Sequence, residues 1–138
     1  MANGIYELFK EGLLDGTLDL TGNIKVCLTD ITAAYTVNLA TDEFLNPAIA
    51  AGNQEALSPN LTGKSYTSGI FNAATVTFTS VSAGKDVSGA LVLYIDTGTD
   101  TTSNLVAYID TATGLPVTPN GGDITVTWDT GTNKIFKL

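Results

Sequence analysis

The apolar positions of the first fourteen residues repeat with the period of an α-helix. They fall at i, i+3, i+4 and i+8 and are Ile5, Leu8, Phe9 and Leu13. This spacing places them on one side of a helix, with the charged residues on the other side. Gly16 follows and predicts the end of the helix. A helix this short is marginal alone in water, so we expect its apolar stripe to dock on the rest of the protein or on a neighbouring chain.

After Gly16 the period changes to two, which is typical of strands. Ile24, Val26 and Leu28 alternate with more polar residues and predict a half-buried strand, with Cys27 on its more polar face. The chain has one cysteine and no histidine, so neither a Cys–His pair nor a metal site is expected around this thiol. We therefore interpret Cys27 as an inert small residue.

Two continuous apolar runs, residues 90–95 and 105–109, predict strands that are covered on both faces. The residues between them are rich in Gly, Thr and Asp, which favours an antiparallel hairpin at the centre of a sheet. Alternation predicts further strands within residues 75–79, 124–129 and 135–138, and we expect the last two to form a second hairpin. The predicted fold is mainly β, an antiparallel β-sandwich or small barrel with a short N-terminal α-helix.

The chain of 138 residues predicts one domain, and we divide it into an N-terminal helix or arm (1–16) and a single β domain (17–138). Residues 35–60 are the least regular part. Thr41 to Leu45 predict one helical turn, capped by Thr41. Residues 50–60 predict a long loop, which is either a segment that a partner orders or a tolerated surface excursion.

Composition favours a neutral, hydroxyl-rich surface and an acidic protein. Only 14% of residues are charged, whereas 22 are threonine and 14 glycine. The net charge is −8, with no arginine and no histidine, which disfavours nucleic acid as a partner and removes the commonest general base. No run approaches the ~20 apolar residues of a membrane span, and the first residues do not resemble a signal peptide. We expect no membrane association and a protein made in the cytoplasm.

The sharpest catalytic pattern is Asp-Thr-Gly-Thr, which occurs at residues 96–99 and 129–132. Aspartic proteases pair two such carboxylates. These copies lie too close together for two protease lobes, and Asp and Gly are also the residues that a hairpin turn requires. We favour turns and keep the protease as an alternative. Asp96 and Asp100 also suggest a weak calcium loop, although it lacks the closing carboxylates.

The remaining pattern is that of a chemically quiet assembly component. We predict no enzymatic activity, no catalytic residue, no cofactor and no metal. Partner contacts are predicted on the helix stripe and on the long loop, because apolar surface buried on a neighbour stabilises an interface. The predicted contact residues are Ile5, Leu8, Phe9, Leu13, Ala50, Gly52, Asn53 and Leu57.

Several segments across nearly the whole chain carry a family resemblance. They are residues 1–4 at the start of the helix, 24–26, 35–41, and 113–124 continuing through Trp128 and Asp129. In these turn and strand sequences the chain resembles a family of small structural proteins of tailed bacteriophages. The resemblance implies a virion component and supplies no catalytic residue.

Within that family, an acidic, arginine-free β protein best suits a capsid decoration, or cement, protein on the exterior of the head. The resemblance then implies assembly in the host bacterial cytoplasm and binding to the major capsid protein. We expect a homo-oligomer, with a trimer suggested by the local symmetry of icosahedral shells. A tail or baseplate structural protein is the alternative.

Overall fold

The computed structural model describes residues 3–30, 35–83, 87–112, 114–128 and 130–138. Within these residues the chain forms nine strands and two α-helices, together with three single-turn 3₁₀ helices. The elements are β1 (Gly4–Ile5), α1 (Glu7–Asp15), β2 (Ile24–Asp30), α2 (Leu45–Ala48), β3 (Gln54–Leu57), β4 (Ile70–Phe71), β5 (Val76–Phe78), β6 (Ser88–Ile95), β7 (Leu105–Ile109), β8 (Ile124–Val126) and β9 (Phe136–Lys137).

A five-stranded antiparallel sheet in the order β1-β7-β6-β2-β3 organises the molecule. The two continuous apolar runs form β6 and β7, which pair with each other and are buried along nearly their whole length. The predicted central hairpin is therefore confirmed, as is a mainly β fold with a short N-terminal helix. The sheet ends at β1 and β3 and does not close, so the small-barrel alternative is wrong.

Strand β2 is covered on both faces, because side chains that point to either side of the sheet are buried from Val26 onward. Cys27 is fully buried, so the prediction of a more polar face for this residue is wrong. Alternation along a single strand does not show that a second layer covers its other side.

Two small sheets replace the predicted C-terminal hairpin. Strand β8 pairs with β5, and β9 pairs with β4. In the first pair Val76 lies opposite Val126, and the hydroxyls of Thr77 and Thr125 approach to 3.2 Å. Long-range pairing thus matches apolar with apolar and hydroxyl with hydroxyl, which stabilises cross-strand neighbours. The last strand is paired, and Leu138 N–H donates to Gly69 O at 2.9 Å.

The N-terminal helix begins later than the sequence predicts. Ile5 belongs to β1 and lies opposite Ala107, and the extended Tyr6 donates its N–H to Val106 O at 3.1 Å. Pairing with β7 therefore holds these residues out of the helix. The helix ends as predicted, with Gly16 in the left-handed conformation (φ 81°) that favours glycine. Tyr6 and Phe9 belong to the same buried core as the strands.

The segment from residue 35 to 60 also differs from its prediction. Thr41 lies in a turn, where its N–H donates to Asn38 O at 3.2 Å, and the helical turn α2 begins only at Leu45. Residues 51–53 form a 3₁₀ turn and residues 54–57 form the edge strand β3, so residues 50–60 are not a structureless loop. Pairing with β2 orders this segment, aided by Ser58 N–H, which donates to Val26 O at 2.9 Å.

Candidate functional site

The predicted contact residues of the helix stripe are mostly used inside the molecule. Phe9 is 1% exposed and lies in the core. Ile5, Leu8 and Leu13 are half-buried, and Ile5 and Leu13 pack against that core. The stripe thus docks on its own chain, which is the first of the two predicted possibilities. Leu14, one position beyond the stripe, is 88% exposed.

The predicted contact residues of the second segment are more accessible. Ala50 and Gly52 are exposed, Asn53 is half-buried, and Leu57 in β3 is 47% exposed. Asn53 is held to the sheet because its carbonyl accepts a hydrogen bond of 2.9 Å from the Thr29 hydroxyl. Strand β3 and strand β1 are opposite edges of the five-stranded sheet, so the fold does not bring Leu57 and Ile5 into one patch.

The outer edge of β3 is the candidate contact site. Ser58 pairs with Val26, and Ala56 lies opposite Leu28. In an antiparallel ladder the residues between such pairs direct their N–H and C=O groups away from the partner strand. Leu57 therefore presents its backbone polar groups on the outer side of β3, where no further strand is added within the described chain. An exposed apolar side chain accompanies this open edge.

The described Asp-Thr-Gly-Thr segment forms a turn. Asp96 Oδ1 accepts the Gly98 N–H at 3.1 Å, and Gly98 has a positive φ of 87°. Asp96 Oδ2 pairs with Lys25 Nζ at 2.9 Å. The hydrogen bond from Lys25, with help from Gly98, lowers the pKa of Asp96. Asp129 of the second copy lies outside the described residues, so the pairing of two aspartates that a protease needs stays untested.

The candidate calcium ligands have protein partners. Asp96 is held by Lys25 and Gly98, and Asp100 Oδ2 accepts a hydrogen bond of 3.1 Å from the Gln54 side chain. Across the described residues there is no group of three or more histidine, cysteine, aspartate or glutamate side chains arranged to hold a metal ion. In this geometry the two carboxylates stabilise a turn and a loop through their hydrogen bonds.

The buried titratable groups are also engaged in packing. Burial raises the pKa of the Cys27 thiol, with smaller contributions from Asp100 and Glu55. Burial likewise raises the pKa of Tyr6 and of Tyr35. A neutral thiol and neutral phenols are poor nucleophiles and bases near neutral pH.

Sequence reasoning missed four exposed apolar side chains and one groove. Leu14, Tyr66, Val87 and Leu138 are 88%, 46%, 38% and 60% exposed. Leu14 does not fit the i, i+3, i+4 repeat, and that mismatch is the signal that could have found it. The groove is formed by residues far apart in sequence, between β1, β7 and the C-terminal residues, and no local pattern indicates it.

No helix within the described ranges has the length and apolar character needed to cross a membrane. Comparison with known proteins finds no matching family model and no significantly similar curated protein.

Proposed function

We propose that this protein is a structural component of a tailed-bacteriophage virion, and specifically a decoration protein that binds the outside of the head. In this role it binds the major capsid protein and stabilises the junctions between capsid subunits. The proposal is supported by the resemblance of its turn and strand sequences to small phage structural proteins. It is also supported by a β fold in which the described polar side chains mostly stabilise turns and loops through hydrogen bonds.

The open edge of β3 carries the proposal. An edge strand presents unpaired N–H and C=O groups that another chain's strand can join, and natural proteins usually cover or charge such edges. Here the edge carries the 47% exposed Leu57 and is flanked by the exposed Ala50 and Gly52. Strand addition at this edge gives main-chain hydrogen bonds, and Leu57 adds apolar burial. This surface therefore suits a contact with another structural chain.

Repetition of one weak contact over a symmetric shell explains how a small surface becomes a stable attachment. Avidity multiplies the effect of each contact when several copies are linked. We propose a homo-oligomer, with a trimer matching the local three-fold symmetry of an icosahedral shell. The net charge of −8 disfavours contact with packaged DNA. It favours a neutral or basic capsid surface wherever the facing part of this protein is not itself positively charged.

Cosedimentation with purified heads that lack the protein tests this function. Wild-type protein is expected to pellet with heads and saturate at a fixed number of copies per shell. Leu57→Asp places an unpaired charge at the β3 edge and is expected to weaken binding at least about tenfold. Thr62→Asp carries the same charge change at an exposed position outside β3 and is the matched control. Failure of the wild-type protein to bind heads would refute the proposal.

A tail or baseplate location is the competing assignment, because the resemblance rests on turn and strand sequences, which do not specify a place in the virion. Immunogold labelling of intact virions separates the two. Label over the head supports the decoration role, whereas label confined to the tail or baseplate replaces it. For the protease alternative, cleavage of a protein substrate at acid pH that pepstatin inhibits, and that Asp96→Asn abolishes, would overturn the structural assignment.

A further inference from the structure

A groove runs between the N-terminal strand and the C-terminal residues, at the sheet edge opposite β3. It has two adjoining sections of about 540 and 320 Å³, which share Asn3, Ile109, Ile135 and Phe136. The floor is apolar, since Ile109 and Phe136 are each 8% exposed. The rim is polar and includes exposed Asn and Thr side chains. An apolar floor with a hydrogen-bonding rim fits an extended peptide.

The charge of this groove is opposite to that of the whole protein. Lys10, Lys134 and Lys137 line it, and these are three of only six cations in a chain of net charge −8. No Asp or Glu side chain belongs to the described residues that line either section. Lys10 comes from α1 and the other two lysines come from the C-terminal residues, so the fold brings together cations that are more than a hundred residues apart.

The other described lysines are engaged elsewhere. Lys25 pairs with Asp96 at 2.9 Å, and Lys64 donates to the carbonyl oxygens of Leu20, Thr21 and Gly22. Within the groove, Lys134 donates to Thr130 O at 3.2 Å, whereas Lys10 and Lys137 are exposed. Lys10 and Lys137 are therefore the two ammonium groups best placed to meet an incoming anion.

The backbone at the groove offers a second mode of recognition. Tyr6 N–H donates to Val106 O, and Gly4 lies opposite Tyr108. Ile5 lies between these two pairs, so the alternation of an antiparallel ladder directs its N–H and C=O away from β7. Because Ile5 also lines the groove, an extended segment bound there meets main-chain groups that β7 does not use, as well as lysines.

We propose that this lysine groove binds an extended acidic segment of a partner polypeptide. The inference rests on the proposed function in one respect: the partner that carries the segment is the capsid protein. Charge complementarity selects the acidic sequence, and the strand edge beside the apolar floor selects the extended conformation.

Trp128 gives a direct readout, because it lines the groove and is the only tryptophan of the chain. The probe is a short blocked peptide that alternates aspartate with threonine and valine, and the control probe has lysine in place of aspartate. The acidic peptide is expected to change Trp128 emission saturably, with an affinity that falls as salt rises. Absence of binding, or equal binding of the lysine peptide, would overturn the proposal.

The double variant Lys10→Gln/Lys137→Gln is expected to bind the acidic peptide roughly three- to thirtyfold more weakly, as expected for two exposed ion pairs. The double variant Thr36→Asp/Thr62→Asp makes the same change in net charge at exposed positions outside the groove and is expected to bind like the wild type. Equal loss in both variants would mean that net charge, rather than the groove, controls binding, and would overturn the proposal.

Two further measurements distinguish this inference from the decoration role and from self-association. The first is the binding of Lys10→Gln/Lys137→Gln to heads with no peptide added. If this variant binds heads as strongly as the wild type does, the groove does not contact the capsid protein, so the inference fails while the decoration role stands. If the wild-type protein binds the peptide but no head, the decoration role fails and the acidic-segment site stands. Concentration-dependent self-association in analytical ultracentrifugation that the lysine variant abolishes would assign the groove to a second copy and overturn the partner assignment.

Discussion

The phenol of Tyr35 donates a hydrogen bond of 2.8 Å to Oδ2 of Asp42. The phenol oxygen of Tyr35 lies 2.7 Å from the phenol oxygen of the fully buried Tyr6, which therefore donates a hydrogen bond to it. The Asn38 N–H also donates to Asp42 Oδ2, at 2.9 Å. This chain of hydrogen bonds ties the turn at residues 38–42 to the start of the N-terminal helix.

Tyr35→Phe is expected to destabilise the protein by about 1–3 kcal/mol, because it leaves the buried Tyr6 hydroxyl without its partner. Urea unfolding followed by circular dichroism measures this loss. Tyr66→Phe removes a comparable hydrogen bond, to Leu20 O at 2.8 Å, but from a side chain that is 46% exposed, and we expect it to cost less. An equal loss of unfolding free energy in the two variants would show that the buried hydrogen bonds of Tyr35 stabilise the fold no more than the exposed one of Tyr66.

Helix α1 carries one apolar side chain that packs in the core and another that is exposed to solvent. Substitutions at these two positions are therefore expected to have very different effects on stability. Phe9→Ala is expected to cost about 3–5 kcal/mol, since Phe9 is 1% exposed. Leu14→Ala is expected to stay within about 0.5 kcal/mol, because Leu14 is 88% exposed. Deletion of residues 1–14 removes Tyr6 and Phe9 from the core and should unfold the chain. A truncated protein with a cooperative thermal transition near that of the wild type would contradict this assignment of the helix.

Acid should weaken the fold partly through Asp96. The Lys25 ammonium and Gly98 N–H hold the pKa of Asp96 below its usual range, so the folded state favours the ionised carboxyl. This contribution is present above the unfolded pKa of about 4 and is lost as pH falls through the lower folded value. Asp96→Asn is expected to cost less than about 1 kcal/mol at pH 7 and to reduce the dependence of stability on pH below 4.

Lys25→Met is the matched variant for that prediction, because it removes the other member of the pair. Both variants should retain some acid sensitivity, since hydrogen bonds from Thr17 and Thr21 also lower the pKa values of Asp15 and Asp19. Unfolding free energies measured between pH 2 and 7 provide the comparison. An unchanged acid profile in both variants would show that the Lys25–Asp96 pair does not contribute.

Calcium is expected to leave thermal stability unchanged. Asp96 and Asp100 are held by Lys25, Gly98 and Gln54, so binding of a cation would have to break these contacts. A half-saturated site would add about 0.4 kcal/mol and shift the melting temperature by on the order of 1–2 °C. Calorimetry with millimolar Ca²⁺, followed by EDTA, measures this. A reversible upward shift that Asp100→Asn removes would establish the site that we do not expect.

The sequence alone determined the features that depend on local pattern. The continuous apolar runs of β6 and β7 predicted a doubly covered central hairpin, and Gly16 predicted the end of the helix, because both signals act within a few residues. The turn at Asp96 followed from the same local chemistry, in which the side chain accepts the Gly98 N–H.

Only the tertiary structure decided which strands pair and what each face meets. Ile5 joins β7, Gln54–Leu57 joins β2, and Phe136–Lys137 joins Ile70–Phe71, each across a long stretch of chain. Cys27 is buried because the core packs against both faces of β2. Lys10 and Lys137 line adjoining sections of one groove because β1, β7 and the C-terminal residues lie side by side. Periodicity reports whether a face is apolar, but the partner of that face depends on long-range contacts that no local pattern contains.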